Sequence, residues 1–230
     1  GMQDNGQPKA MSADDLARVR DDYVRAARLA IAAGVDGIEL HAANGYLLAQ
    51  FLNPRSNVRE DRYGGSAENR RRFLLEVVDA VSAAIGAERV GVRLSPFNPF
   101  NDLAANYDGE SAETLDQIRA LAARRIGYLH LIATPGAVAE SFVREARAAF
   151  PGTLILAGDF NGERAEAALA SGQADVIAFG RPFIGNPDLP ERLQLNLELA
   201  GFDPGSLYSP GAAGYSDYPS YREEAEPTLA

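Results

Sequence analysis

Apolar positions along this chain follow two alternating patterns. Between residues 12 and 34, Leu16, Val19, Tyr23, Ala26, Ala27 and Ala30 form a stripe at helical spacing. Ser12 with Asp15 three residues later marks the start of that helix, and Gly34 its end. Further helical stretches are expected at 46–52, from Ser66 to about Ala84, and at 111–125, 138–150, 163–171 and 188–200. Between them lie short, nearly continuous apolar runs at 37–41, 90–95, 128–133, 153–157 and 175–179, which read as strands. Strands alternating with helices through short connections predict a right-handed parallel βα array. The strands are apolar with polar residues at their C-terminal ends, which favours a TIM-type (β/α)8 barrel over a doubly wound sheet. Five βα units are legible, whereas a complete barrel has eight. Residues 1–11 read as an extended lead-in, with Gly1 ahead of Met2 in the pattern of a tag scar. Residues 12–200 form the βα array, and 201–230 a tail without periodicity that is expected to pack on it.

Composition narrows the function. The 230 residues are 46% hydrophobic and 23% charged, as in a globular protein. Lys and Arg number 22 against 32 Asp and Glu, for a net charge of −10. So acidic a chain is a poor partner for nucleic acid or anionic membrane. No apolar run reaches the roughly 18 residues of a membrane span, and no signal peptide is evident, so a cytoplasmic location is expected. The absence of Cys excludes disulfides, thiol nucleophiles and cysteine-held iron–sulfur clusters. The two histidines, His41 and His130, stand in no ligand-like pattern, so no metal site is expected.

The residues that could carry chemistry gather after the first strand. Gly37-Ile38-Glu39-Leu40 leads into His41-Ala42-Ala43-Asn44-Gly45-Tyr46. His41 and Asn44 can both donate to one oxygen, and Tyr46 is a proton donor of high intrinsic pKa. That arrangement suits the addition of electrons to an activated double bond. Read alone, a histidine at a strand end serves equally as a structural hydrogen-bonding residue. Arg93, inside the second strand, is by itself either a structural ion-pair partner or a ligand for something anionic. Gly158 and Gly180-Arg181, after the last two strands, suit either two tight turns or a phosphate site, where glycine allows close backbone approach.

The order H-A-A-N-G-Y-L, Q-F-L-N-P, N-x-R-x-D-x-Y-G-G-S-x-E-N-R covers some thirty residues from His41 to Arg70, and it resembles the old yellow enzyme family of FMN-dependent ene-reductases. The resemblance extends over residues 8–222 and corresponds to strands 4 to 8 of that family's barrel. It implies that His41 and Asn44 hold the substrate's carbonyl or nitro oxygen, and that Tyr46 protonates the alkene carbon. Some members carry a second histidine at the Asn44 position, so this chain matches the His/Asn branch. V-G-x-R-L-S-P implies that Arg93 contacts the flavin. G-R-P-F-I-x-N-P implies that Gly180 and Arg181, with Gly158, hold the FMN phosphate. Asp159 departs from the family's usual Asn, so no role is carried over to it. Phe100, on the loop after Arg93, and Tyr215, in the tail, are implied to border the substrate pocket. His130 is expected to pack or bond within the barrel.

The implied reaction uses NADH or NADPH to reduce FMN, and then reduces an enone, maleimide or nitroalkene. With three βα units unaccounted for, the expectation is an open barrel that self-associates or pairs with a companion N-terminal segment. Two rivals remain: another flavin barrel acting on dihydropyrimidines or tRNA dihydrouridine, against which H-A-A-N-G-Y speaks, and a flavin-free barrel fragment without activity that acts through self-association or a partner chain.

Overall fold

The first helix begins where Ser12 can close a capping box. Asp15 N donates to Ser12 Oγ at 3.1 Å, and Ser12 N donates to Asp15 Oδ2 at 3.0 Å. A computed structural model describes residues 8–134 and 136–225, so the first seven residues of the expected lead-in and the last five of the tail lie outside the described residues. Helix α1 spans Ala13–Ala32 and α2 Leu47–Leu52, while α3, Ala67–Ile85, is capped by Ser66. Helices α4 (Glu110–Ala123), α5 (Glu140–Ala149) and α6 (Gly162–Ala170) follow at the expected places.

Five strands form where five were expected: β1 Ile38–Ala42, β2 Val90–Leu94, β3 Tyr128–Ile132, β4 Thr153–Ala157 and β5 Val176–Ala178. They make one parallel sheet in sequence order. Side chains alternate across it, as strand geometry requires. Val90, Val92, Leu94, Leu129, Leu131, Leu154 and Leu156 are buried with Phe73, Val77 and Ile118 of the helices. The opposite face carries Glu39, His41, Arg93, Tyr128 and His130, with His41, Arg93, His130, Ile155 and Val176 in one register row. In a TIM-type barrel that face is the interior. Among the described residues β1 pairs only with β2 and β5 only with β4, so the sheet is an open segment of such a barrel.

The expected helix at 188–200 is shorter in the structure and is preceded by a separate single turn. Helix α7, Pro182–Gly185, is a single turn and α8, Leu189–Gln194, stops early. Asn196 adopts a left-handed φ of 54° and Leu197 N bonds back to Arg192 O at 2.9 Å. That is the Schellman termination with Asn in the usual glycine position. The tail is less irregular than its sequence suggests. Helix α9, Tyr221–Ala225, sits against α8, with Tyr221 N donating to Asp188 Oδ2 at 2.7 Å.

Candidate active site

The end of β1 turns sharply into α2. Asn44 and Gly45 both take positive φ, 56° and 75°. Asn tolerates that region and Gly adopts it freely. A Cβ on Gly45 would also lie 2.6 Å from Asn101 Cβ and 2.9 Å from Phe100 O, on the loop after β2. Gly45→Ala is therefore expected to cost at least about 1–2 kcal/mol from the left-handed backbone alone, with further loss from the clash. Urea unfolding of the variant checks this, and an unchanged midpoint would mean that the loop yields freely.

The loop from Ser95 to Gly109 is tied down at several points. Asn53 brackets Ala104, donating to its carbonyl at 2.8 Å and accepting from its N–H at 3.0 Å. The Glu110 carboxylate accepts from Phe97 N at 2.7 Å and Asn106 N at 2.6 Å, and its burial pushes its pKa up. Asn44 N donates to Ser95 Oγ at 2.7 Å, and Asn101 Nδ2 donates to Asn44 O at 2.8 Å.

His41 and Tyr46 lie close together, their ring centroids 5.1 Å apart. Tyr46 is half exposed. His41 is beside Arg93 in the sheet, and burial first and the Arg93 charge second lower its pKa. The shift favours the neutral ring, which donates through one nitrogen only. His130 takes the structural part expected of it. Its Nδ1 lies 3.0 Å from Glu39 Oε2. Burial alone would raise the Glu39 carboxyl, but the His130 and Tyr128 hydrogen bonds hold it below its usual value. Burial and Glu39 together push the Tyr128 hydroxyl up to about 12. The Tyr128 ring occupies the place where a Gly91 Cβ would be, which explains the glycine two residues before Arg93.

A cleft of about 850 Å³ opens at the C-terminal ends of the strands. Asn44, Arg93, Phe100, Gly158, Gly180 and Arg181 all line it, together with Asn98, Thr134 and Phe160. His41 and Tyr46 stand outside its lining, on the β1 side. Tyr215 is not brought to the cleft either. It lies in an exposed turn, its N–H bonded to Ala212 O at 2.9 Å. The two glycines differ in kind. A Cβ on Gly158 would meet Thr134 N at 2.7 Å, so backbone packing dictates that residue, whereas a Cβ on Gly180 would enter open space. Arg181 is 79% exposed, and its Nη1 is 4.0 Å from Asp159 Oδ1. The N-terminus of the helix that follows adds little to an anion site here, since α7 is one turn long and its dipole correspondingly short. The Arg93 Nε is buried and has no hydrogen-bond partner among the described residues.

Much of the long motif after Tyr46 holds structure rather than reacting groups. Gln50 Nε2 donates to Gly45 O at 2.8 Å, and Asn57 Nδ2 to both Phe51 O and Tyr63 O at 2.7 Å. Asn98 is a site residue that sequence reasoning passed over. Its only local signal is the Asn-Pro dipeptide of F-N-P-F-N, which marks a side-chain-capped turn.

A parallel βα segment with donors, a half-buried arginine and an exposed arginine at the strand C-termini has the layout of a TIM-type barrel site, where anions are commonly held. Residues 2–200 match the NADH:flavin oxidoreductase / NADH oxidase family, and the chain belongs to it. It is 41% identical over 226 residues to 12-oxophytodienoate reductase 1 of Oryza sativa subsp. japonica, an alignment covering 94% of this chain and 59% of that protein. It is 45% identical over 216 residues to a probable flavin mononucleotide-dependent alkene reductase of Leishmania infantum, covering 92% and 58%. Among solved structures, morphinone reductase superposes with a TM-score of 0.92 at 41% identity, covering 99% of this chain and 62% of the other. The old yellow enzyme homologue from Zymomonas mobilis gives 0.85 at 39% identity, covering 92% and 61%. The chain thus spans about three fifths of the length of the relatives it matches.

Proposed function

We propose that this chain supplies the substrate-facing residues of an FMN-dependent oxidoreductase that uses NADH or NADPH to reduce activated C=C bonds in enones, maleimides or nitroalkenes. The observation that carries the reading is convergence. Asn44, Arg93, Gly158, Gly180 and Arg181 come from four separate βα units and line one cleft.

The cleft suits FMN. Arg93 Nε is a buried donor without an acceptor among the described residues, a condition that costs about 1–3 kcal/mol, and a flavin carbonyl or ring nitrogen would relieve it. Arg181 offers a planar, exposed fork for a phosphate. Gly180 leaves room beside it. The chemistry that bound FMN supplies is hydride transfer, from the nicotinamide and then to the β-carbon of the alkene. The Arg93 charge favours an anionic flavin. His41 and Asn44 donate to the carbonyl or nitro oxygen, which gains charge as the double bond is reduced. Tyr46 gives its phenolic proton to the α-carbon. A neutral His41 fits this part, because it donates a hydrogen bond and leaves the proton to come from Tyr46.

Among the described residues the sheet edges at β1 and β5 have no neighbouring strand, and such edges invite pairing in solution. We propose that a companion strand segment or a second copy of the chain covers them. Residues 12–200 then act as the barrel part, with the described part of the tail, 201–225, packed on it.

Two variants separate the halves of the site. Arg181→Ala is expected to weaken FMN binding and to leave phenol binding by the remaining flavin-loaded protein unchanged. His41→Ala is expected to leave FMN bound but to weaken phenols, whose phenolate takes the place of the substrate oxygen, by about 1.5–3 kcal/mol for a lost charge-assisted bond. Fluorescence titration with FMN and absorbance titration with 4-chlorophenol read the two effects. The opposite pattern would mean that the sites have been exchanged.

A further inference from the structure

An amide has a donor end and an acceptor end of nearly equal size, so a clamp built on Asn44 works only if the NH2 end faces the cleft. Something must fix which end that is. The Phe100 backbone N–H donates to Asn98 Oδ1 at 2.9 Å. A backbone N–H can only donate, so this contact assigns the oxygen of Asn98 and leaves its Nδ2 as the other end. Asn98 Nδ2 then lies 3.1 Å from Asn44 Oδ1. That contact engages the oxygen of Asn44 and leaves its Nδ2 as the end available to the cleft that both asparagines line. The Asn44 backbone is pinned separately, through its N–H to Ser95 Oγ and its carbonyl from Asn101 Nδ2. The side chain thus has no need to flip to satisfy a local partner.

We propose that Asn98 is a positioning residue that sets the polarity of the oxygen clamp, through a one-way relay from Phe100 N–H to Asn98 to Asn44. The proposal rests on the reading of Asn44 as a donor to the substrate oxygen. It also makes the specificity of the site a matter of orientation: the clamp accepts ligands with an oxygen acceptor and rejects those presenting a donor there.

The test is an inversion. In Asn98→Asp one carboxylate oxygen still accepts from Phe100 N–H, so the turn is retained. The other oxygen is now an acceptor facing Asn44, and it draws the Asn44 Nδ2 away from the cleft. In Asn98→Ala the turn loses its cap, while Asn44 is merely released. A structural role for Asn98 predicts that Ala harms the protein more than Asp in every measurement. The relay predicts the reverse order for ligand binding. In flavin-loaded protein, Asn98→Asp is expected to weaken 4-chlorophenol about ten- to a hundredfold, the scale of a hydrogen bond to a charged group. That loss should equal or exceed the loss in Asn44→Ala, and should exceed that in Asn98→Ala. In the flavin-free chain, labelled with 15N, the Asn44 side-chain NH2 resonances should shift in Asn98→Asp and exchange more slowly with solvent. A phenol affinity that falls in Asn44→Ala but not in Asn98→Asp, or Asn44 resonances that do not move, would overturn the relay alone. Phenol binding unchanged in Asn44→Ala would overturn the clamp reading and the relay with it.

Discussion

Replacing Arg70 with methionine is expected to destabilise the fold by about 3–5 kcal/mol, the usual cost of breaking a buried ion pair from one side. Arg70 is only 7% exposed although it is charged. Its Nε donates to Leu52 O at 3.1 Å, Nη1 donates to Gly65 O, and Nη2 pairs with Glu113. One side chain thus joins the end of α2, the start of α3 and the first turn of α4. Tyr107 OH, on the loop that borders the cleft, donates to the same Glu113 oxygen at 3.0 Å. Methionine fills comparable volume but leaves two carbonyls without their donor and the Glu113 carboxylate without its cation, with only the Tyr107 hydroxyl still bonded to it. Arg18 is the contrast. It pairs with Asp15 and Asp22 on the surface with 65% of its side chain exposed, and Arg18→Ala should cost no more than about 1 kcal/mol. Urea unfolding of both variants measures the difference, and similar midpoints would show that the brace is dispensable.

The Arg70 brace also shows what a motif conceals. The run from His41 to Arg70 was legible in the sequence as one unit, yet its two halves do different work. His41, Asn44 and Tyr46 present polar groups, while Gln50, Asn53, Asn57 and Arg70 satisfy backbone groups in irregular chain. Periodicity located the sheet well because its strands are buried on the helix side by Val and Leu at alternate positions. It overran at 188–200, where Asn196 ends α8 by adopting a conformation that its side-chain type permits but does not require. The site was legible where a polar residue interrupts an apolar strand, as Arg93 does. It was not legible at Asn98, whose part depends on a contact with Asn44, 54 residues away. Long-range pairs of this kind leave no mark in local spacing. Tyr215 is the opposite case, since its place in the tail was singled out by resemblance alone and it lies in an exposed turn outside the cleft lining.

Tyr46→Phe is expected to have the largest effect on rate. General acid catalysis by a positioned group contributes typically about 10²–10⁴-fold, and only the step that reduces the alkene uses this proton. Tyr46 is half exposed and tilts against His41, so losing its hydroxyl removes no buried hydrogen bond and should leave the fold unaffected. Nitroalkenes should be much less sensitive than enones, because a nitronate is stable enough to leave before it is protonated. Stopped-flow absorbance of flavin-loaded Tyr46→Phe, with the two half-reactions followed separately, tests the assignment most directly. The account predicts reduction by NADH or NADPH at the parental rate and reoxidation by an enone slowed about 10²-fold or more. Reoxidation by the enone at the parental rate would contradict it.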